Sequence, residues 1–233
     1  MLLSAHTLLA LLTAAALTGC STADSTAGTP EAGQPSTAVA AEAKPLSEAE
    51  LRALTLQEAE LPEARPGAIP VQDHRDLSDY PSFEPASDPD CQTVHDIRNA
   101  IDASAVVVQV INWKDNIYGG GVTLASYDEG EAEQLFAELE RALRSCRTYR
   151  GDGWVGTYTS TMKAQKAPEV GDEAVQFREY STVELAKRDE LFIVVRTGGV
   201  IATYHSLDVG RTPTFPTEPI IKQTERLRAA QSK

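Results

Sequence analysis

The sequence predicts an α+β domain: a curved antiparallel sheet of five or six strands with three or four helices, the helices mainly on one face. Three observations carry this. Capped amphipathic segments occur near residues 47, 88 and 129, β-branched or alternating runs fill most of the chain after residue 104, and Gly198-Gly199 joins two apolar runs. A run of strands with hairpin turns favours antiparallel pairing, with the helices packed against a face of the sheet.

Before the domain comes an export signal. The first 19 residues contain no Asp, Glu, Lys or Arg, and Leu8 to Leu17 is apolar apart from Thr13. That run is too short to span roughly 30 Å of hydrocarbon but suits the apolar core of a signal peptide. Leu17-Thr18-Gly19-Cys20 follows directly and resembles a lipobox, where diacylglycerol is joined to the cysteine and a peptidase cuts before it. Residues 1–19 are therefore read as a lipoprotein signal peptide. Cys20 is read as the lipidated residue, carrying palmitate-type acyl chains. The competing readings are an ordinary secretory signal with a chance cysteine, or a buried core helix. The leading Met-Leu-Leu-Ser-Ala-His has no Lys or Arg, which departs from the usual charged start and leaves the true start codon open.

Residues 21–45 are almost wholly Ala, Ser, Thr, Gly, Pro, Glu and Gln, with Val39 as the one large aliphatic. Such a segment cannot bury enough apolar surface to offset its ordering entropy, so 20–45 reads as the lipidated cysteine and a disordered tether. As a random coil its reach is about 25–30 Å. Residues 46–233 then form a single α+β domain. It holds 31 Asp/Glu against 20 Lys/Arg, a balance that argues against nucleic acid or anionic headgroups bound through bulk charge.

The domain's elements follow in order. Leu46-Ser47-Glu48-Ala49-Glu50-Leu51 is a capping box, with Leu46 and Leu51 at the staple positions. Residues 62–89 hold six prolines and predict an extended wrap over the surface. Asp88 and Pro89 make an N-cap and first-turn pair for a helix whose Cys91, Val94, Ile97 and Ile101 share a face. Ser104 to Trp113 is apolar at both parities and predicts a strand buried on both sides. Ile117 to Tyr127 is the next strand, after a turn at 114–116. Glu129 to Ser145 is a helix whose stripe of Ala132, Leu135, Phe136, Leu139, Ala142 and Leu143 continues to Cys146. Strands are predicted from Trp154 to Met162, Ala174 to Ser181, Leu191 to Arg196 and Val200 to His205. A final helix starts near Thr217.

With Cys20 assigned to lipid, Cys91 and Cys146 remain as an even pair in an oxidising compartment. Both lie on core-facing stripes where two helices could meet, so a disulfide is expected; two buried free thiols or a redox pair are the alternatives.

These pieces together resemble the PknH-like extracellular sensor domain, an actinobacterial family found on receptor kinases and on free lipoproteins. The resemblance rests on Leu61-Pro62, Cys91 at a helix start, a strand pair leading to the helix that ends in Cys146, the turn Val170-Gly171-Asp172-Glu173-Ala174, and the hairpin Val195 to Val200. It covers roughly residues 46–231 and lies in the order of the set rather than in any single motif. It implies a curved antiparallel sheet with helices, a cleft for an unidentified ligand, and no catalysis. The chain departs from the kinase form in having one cysteine pair where that has two, and no kinase or transmembrane segment, so direct transmembrane signalling is not expected.

Motifs for chemistry are weak. Ser160-Thr161-Met162-Lys163 matches S-x-x-K, but in a strand its Ser and Lys point to opposite faces. Gly119-Gly120-Gly121 lacks the helix start and Lys of a phosphate loop and reads as a bend. His74, His95 and His205 have no zinc spacing, and Asp128, Glu129 and Glu131 suit a helix first turn rather than a calcium loop. No catalytic residue, metal or cofactor is assigned. Trp113, Tyr118, Trp154 and Tyr158 are the aromatics placed near the cleft, although ordinary core positions account for them better. The expected function is a non-catalytic, ligand-binding or sensor-like lipoprotein, anchored through Cys20 on the outer face of the cell membrane. Its partner would be a small ligand or an envelope protein. The alternatives are an envelope scaffold without a ligand, or an unrecognised hydrolase.

Overall fold

A computed structural model describes residues 44–67, 69–72, 85–153, 156–183 and 186–232. The readings for the signal peptide, Cys20, most of the tether and Trp154 lie outside the described residues. Among them the domain is α+β, with one open, antiparallel, eight-stranded sheet and four α-helices.

In chain order the elements are α1 (Glu48–Ala53), β1 (Val71–Gln72), α2 (Pro89–Arg98), β2 (Ala105–Ile111), β3 (Gly120–Ser126), α3 (Glu131–Ser145), β4 (Thr148–Gly151), β5 (Tyr158–Gln165), β6 (Glu173–Val183), β7 (Ala186–Thr197), β8 (Val200–Val209) and α4 (Thr217–Gln231). The strand order is β1-β2-β3-β8-β7-β6-β5-β4. The expected five or six strands become eight because β1 and β4 were not foreseen. Two residues carry no alternation, and β4 has one buried large residue, Tyr149, between the exposed Thr148 and Arg150.

Helix starts follow the local chemistry. The Ser47–Glu50 capping box forms in both directions. The Asp88 carboxylate accepts from the Cys91 amide at 2.9 Å, with Pro89 in the first turn. Cys91, Val94 and Ile97 face inward as expected, whereas Ile101 lies past the helix end and is 65% exposed. The Gly198-Gly199 turn joins β7 to β8 as read, with Thr197 opposite Val200.

The helices lie on both faces of the sheet, which corrects the one-face expectation. On one face α1 and α4 place Leu51, Ile220 and Leu227 over Val107, Leu124, Leu191, Ile193, Val195 and Tyr204. On the other, α2 and α3 place Val94, Ile97, Phe136 and Leu139 over Phe192, Val194 and Ile201. The cause is visible in β7: Leu191 to Val195 are all apolar and all buried, so alternate residues serve opposite faces. A disulfide joins Cys91 to Cys146 with Cα atoms 4.9 Å apart, tying α2 to the end of α3.

Two polar side chains of the core hold distant backbone groups. Gln109 of β2 is buried, yet its amide exchanges hydrogen bonds with the Leu56 backbone at 3.0 and 2.8 Å, anchoring the chain after α1. The Ser126 hydroxyl accepts from the Leu46 amide at 2.8 Å.

Candidate functional site

The largest buried polar assembly joins α2 to β4, β5 and β6 at the centre of the α2/α3 face. Glu179 of β6 accepts from the Tyr149 hydroxyl at 2.5 Å, from Ser160 at 2.8 Å and from Arg98 at 2.5 Å. Tyr149 gives its proton to Glu179, so in the 2.5 Å contact between Tyr149 and His95 Nε2 the imidazole must be the donor. The Arg98 guanidinium also lies 4.3 Å from the centroid of the Phe192 ring.

Burial favours the neutral form of Glu179, but the Arg98 charge outweighs it and holds the carboxyl down to about 2. Burial, with Arg98 beside it, drives His95 down to about 3, so the ring is neutral at ordinary pH. Burial and the nearby carboxylate raise the Tyr149 hydroxyl well above its usual range. Ser160, Glu179 and His95 converge here, yet their bonding is not that of a nucleophile. Ser160 is fully buried and donates to a carboxylate rather than to an imidazole. The assembly locks α2 onto the sheet beside the disulfide. Ser160 and Lys163, the S-x-x-K pair, do point to opposite faces: Ser160 is buried and Lys163 exposed.

Beneath the α1/α4 and α2/α3 layers the sheet is filled by the protein's own side chains, so a broad cleft between sheet and helices is absent among the described residues. One of the spaces that remain lies at the rim of the α1/α4 face. Between the ends of β2 and β8 and the segments that cover them is a cavity of about 220 Å³, walled by Glu63, Trp113, Asp115, Ser206, Asp208 and Arg211, and closed by Thr212–Thr214 and Pro216. Residues near 64 run beside Trp113: Ala64 bridges to it, Arg65 donates to the Asn112 carbonyl at 2.9 Å, and Lys114 donates to the Glu63 carbonyl at 2.9 Å. Trp113 packs edge-on against Phe215 at 5.5 Å. Its indole N–H is buried without a hydrogen-bond partner. The ring sits over Gly120, where an added Cβ would come within 2.9 Å of the indole nitrogen and 2.5 Å of the His205 carbonyl oxygen.

Charge in this region is arranged across strands. Asp189 of β7 and Asp208 of β8 stand opposite each other in register, an arrangement that is unfavourable unless each is compensated. Each has its own arginine. Arg178 grips Asp189 with a two-pronged contact at 3.0 and 2.5 Å, and Arg211 approaches Asp208 at 3.3 Å while donating to the Asp115 carbonyl. Burial and the adjoining Asp208 still leave the Asp189 carboxyl above its usual value. The cavity thus offers carboxylates to ligand donors, and a guanidinium and hydroxyls to ligand acceptors. No histidine walls it, so Ser206 and the threonines lack a Ser–His base. No group of three or more His, Cys, Asp or Glu among the described residues is arranged to hold a metal.

The sequence-selected aromatics are not brought together. Trp113 walls the cavity, Tyr118 is exposed at 45% on the turn before β3, and Tyr158 lies on the opposite face, edge-on to Tyr149 at 6.3 Å. Asp208 and Arg211 passed unremarked because a carboxylate near a strand end and an arginine in a loop look like ordinary solvated charge. The signal that could have singled out Asp208 is its parity, since it shares the face of Ala202 and Tyr204. Among the described residues the exposed large apolar side chains are Ile101, Ile117, Tyr118 and Ile221, on α4 and in two loops far apart in sequence. No helix among the described residues is long and apolar enough to cross a membrane.

No protein-family model matches the chain, and no curated protein matches it. Among solved structures it is similar to the extracellular domain of PknH from Mycobacterium tuberculosis. The two are 12% identical with a TM-score of 0.53, over 81% of this chain and 98% of that one. The likeness is one of fold.

Proposed function

We propose that this chain is a lipid-anchored, extracytoplasmic binding module of the PknH-like sensor type, which takes a small polar molecule in the Trp113–Asp208 cavity and performs no chemistry on it. The cavity carries the reading. It joins an aromatic wall with an unpartnered N–H, a buried carboxylate and a guanidinium, and has no nucleophile paired with an imidazole base. The fold shared with an extracellular domain and the Cys91–Cys146 disulfide both fit an oxidising, extracytoplasmic setting. The lipobox-like Leu17 to Cys20 supplies the anchor and residues 21–45 the tether. The scaffold alternative wants a large exposed apolar patch, whereas the exposed apolar residues here are scattered.

Native mass spectrometry of the protein purified from its own envelope tests the binding reading. A reproducible mass excess, lost on Asp208→Asn or Arg211→Ala substitution, is expected. A bare mass in repeated preparations removes the ligand and moves the weight to a scaffold.

A further inference from the structure

The α1/α4 layer covers only part of its sheet face. Over β4, β5, the Arg178–Thr182 part of β6 and the adjoining end of β7 many side chains of that face stand exposed, and the pairing registers arrange them in three cross-strand rows. The first is Arg150, Thr159, Thr182 and Lys187; the second is Thr148, Thr161, Tyr180 and Asp189; the third begins with Lys163 and Arg178 before it meets the core at Leu191. Thr148, Arg150, Thr159, Lys163, Thr182 and Lys187 are exposed.

This face is chemically unlike the rest of the molecule. The chain carries 34 acidic against 21 basic residues, yet here four cations face the single carboxylate of Asp189, which Arg178 already holds. The cations are organised rather than merely solvated. The Lys163 ammonium and the Arg178 guanidinium lie 5.3 and 5.4 Å from the Tyr180 ring centroid. Between the cationic rows run the hydroxyls of Thr148, Thr161 and Tyr180. At one corner Tyr180, Thr182, Lys187, Arg188 and the Arg178-held Asp189 line an open pocket of about 310 Å³, with Gly210, Arg211 and Thr212 on its other side. With strands about 4.8 Å apart, the first row spans about 14 Å, enough for two or three sugar units.

We infer that this uncovered half of the sheet is a docking surface for an anionic polysaccharide, its carboxylate, sulfate or phosphate groups meeting Arg150, Lys163 and Lys187 and its hydroxyls meeting the threonines. The charge complementarity selects a polyanion. The absence of any exposed apolar side chain in these rows argues against a protein partner, whose interface core is apolar and aromatic, and against membrane insertion. The surface adjoins the Trp113 cavity, sharing Arg211 and Thr212 at its corner, but Arg150, Lys163 and Lys187 lie outside that cavity.

Binding of dextran sulfate to the purified full-length chain, measured by isothermal titration at 50 and 200 mM salt with neutral dextran as control, tests it; the higher salt weakens a phosphate-type contact set steeply. The expected result is salt-dependent binding of dextran sulfate alone, weakened roughly tenfold or more by the Arg150→Glu/Lys163→Glu double variant. The control Lys222→Glu, on α4, should change it less than about twofold on the same scale, and matching melting temperatures show that all three proteins are folded. Equal loss in Lys222→Glu, equal binding of neutral dextran, or tighter binding of polyglutamate or of phosphatidylglycerol vesicles would each overturn the assignment. Trp113→Leu should leave this binding intact, which separates failure here from failure of the cavity reading.

Discussion

Lowering the pH should weaken the fold through His95, well before the carboxylates of the core respond. His95 is held neutral by burial, next to Arg98, with its folded pKa lowered to about 3, whereas in the unfolded chain an imidazole titrates near 6.5. The unfolded state therefore binds the extra proton between those values. The stability His95 confers is complete above about pH 6.5 and is lost as pH falls toward 3, at up to ~1.4 kcal/mol per unit. From pH 6.5 to 4.5 the loss is about 2–3 kcal/mol by the same linkage. Replacing His95 with Gln keeps a donor for the Tyr149 oxygen and removes the titration. Urea unfolding of both proteins at pH 7.0, 6.0, 5.0 and 4.5 gives the test, because burial also pushes His205 down and its contribution cancels in the difference. The two stabilities should converge as pH falls. Parallel curves would refute the view that burial, with Arg98 beside it, holds His95 neutral.

Three further outcomes follow from the same packing. Replacing Cys91 and Cys146 with Ala opens a link across a sequence separation of 55 residues and should cost about 4 kcal/mol in the chain-entropy account; dithiothreitol should lower the wild-type melting temperature and leave the variant unmoved. Arg98→Met strands the Glu179 carboxylate in the core and should cost roughly 3–5 kcal/mol, while Arg98→Met with Glu179→Leu should cost less, as a double-mutant cycle in urea would show. Gly120→Ala would set a Cβ 2.5 Å from the His205 carbonyl oxygen. That is a backbone contact which cannot swing aside, and a loss of roughly 1–3 kcal/mol is expected by thermal melting.

Much of the fold was legible because its signals are local. Asp88 with Pro89, the Ser47–Glu50 box and Gly198-Gly199 each act within four residues, and all three form as read. The Cys91–Cys146 link was legible from two helical stripes. Layering was less so, although the five consecutive apolar residues of β7 can only be buried on both sides and already demanded helices on each face. The strand β4 was hidden because the buried neighbour that Tyr149 serves is Glu179, a charged residue 30 positions away. The polar assembly itself left one trace: Glu179 falls at the same parity as the buried Phe177 and Ser181. In the cavity, Trp113 was legible as a large aromatic at a strand end. Asp208 and Arg211 were not, since their pairing depends on where the segment after β8 turns back over the sheet.

The proposed role rests first on the lipid anchor proposed at Cys20. Expressing the chain and its Cys20→Ser variant with radiolabelled palmitate, then separating membrane and soluble fractions, tests it directly. The account predicts label and membrane association for the native chain and loss of both in the variant. A variant that remains in the membrane fraction, or a native chain that takes no label, would contradict it.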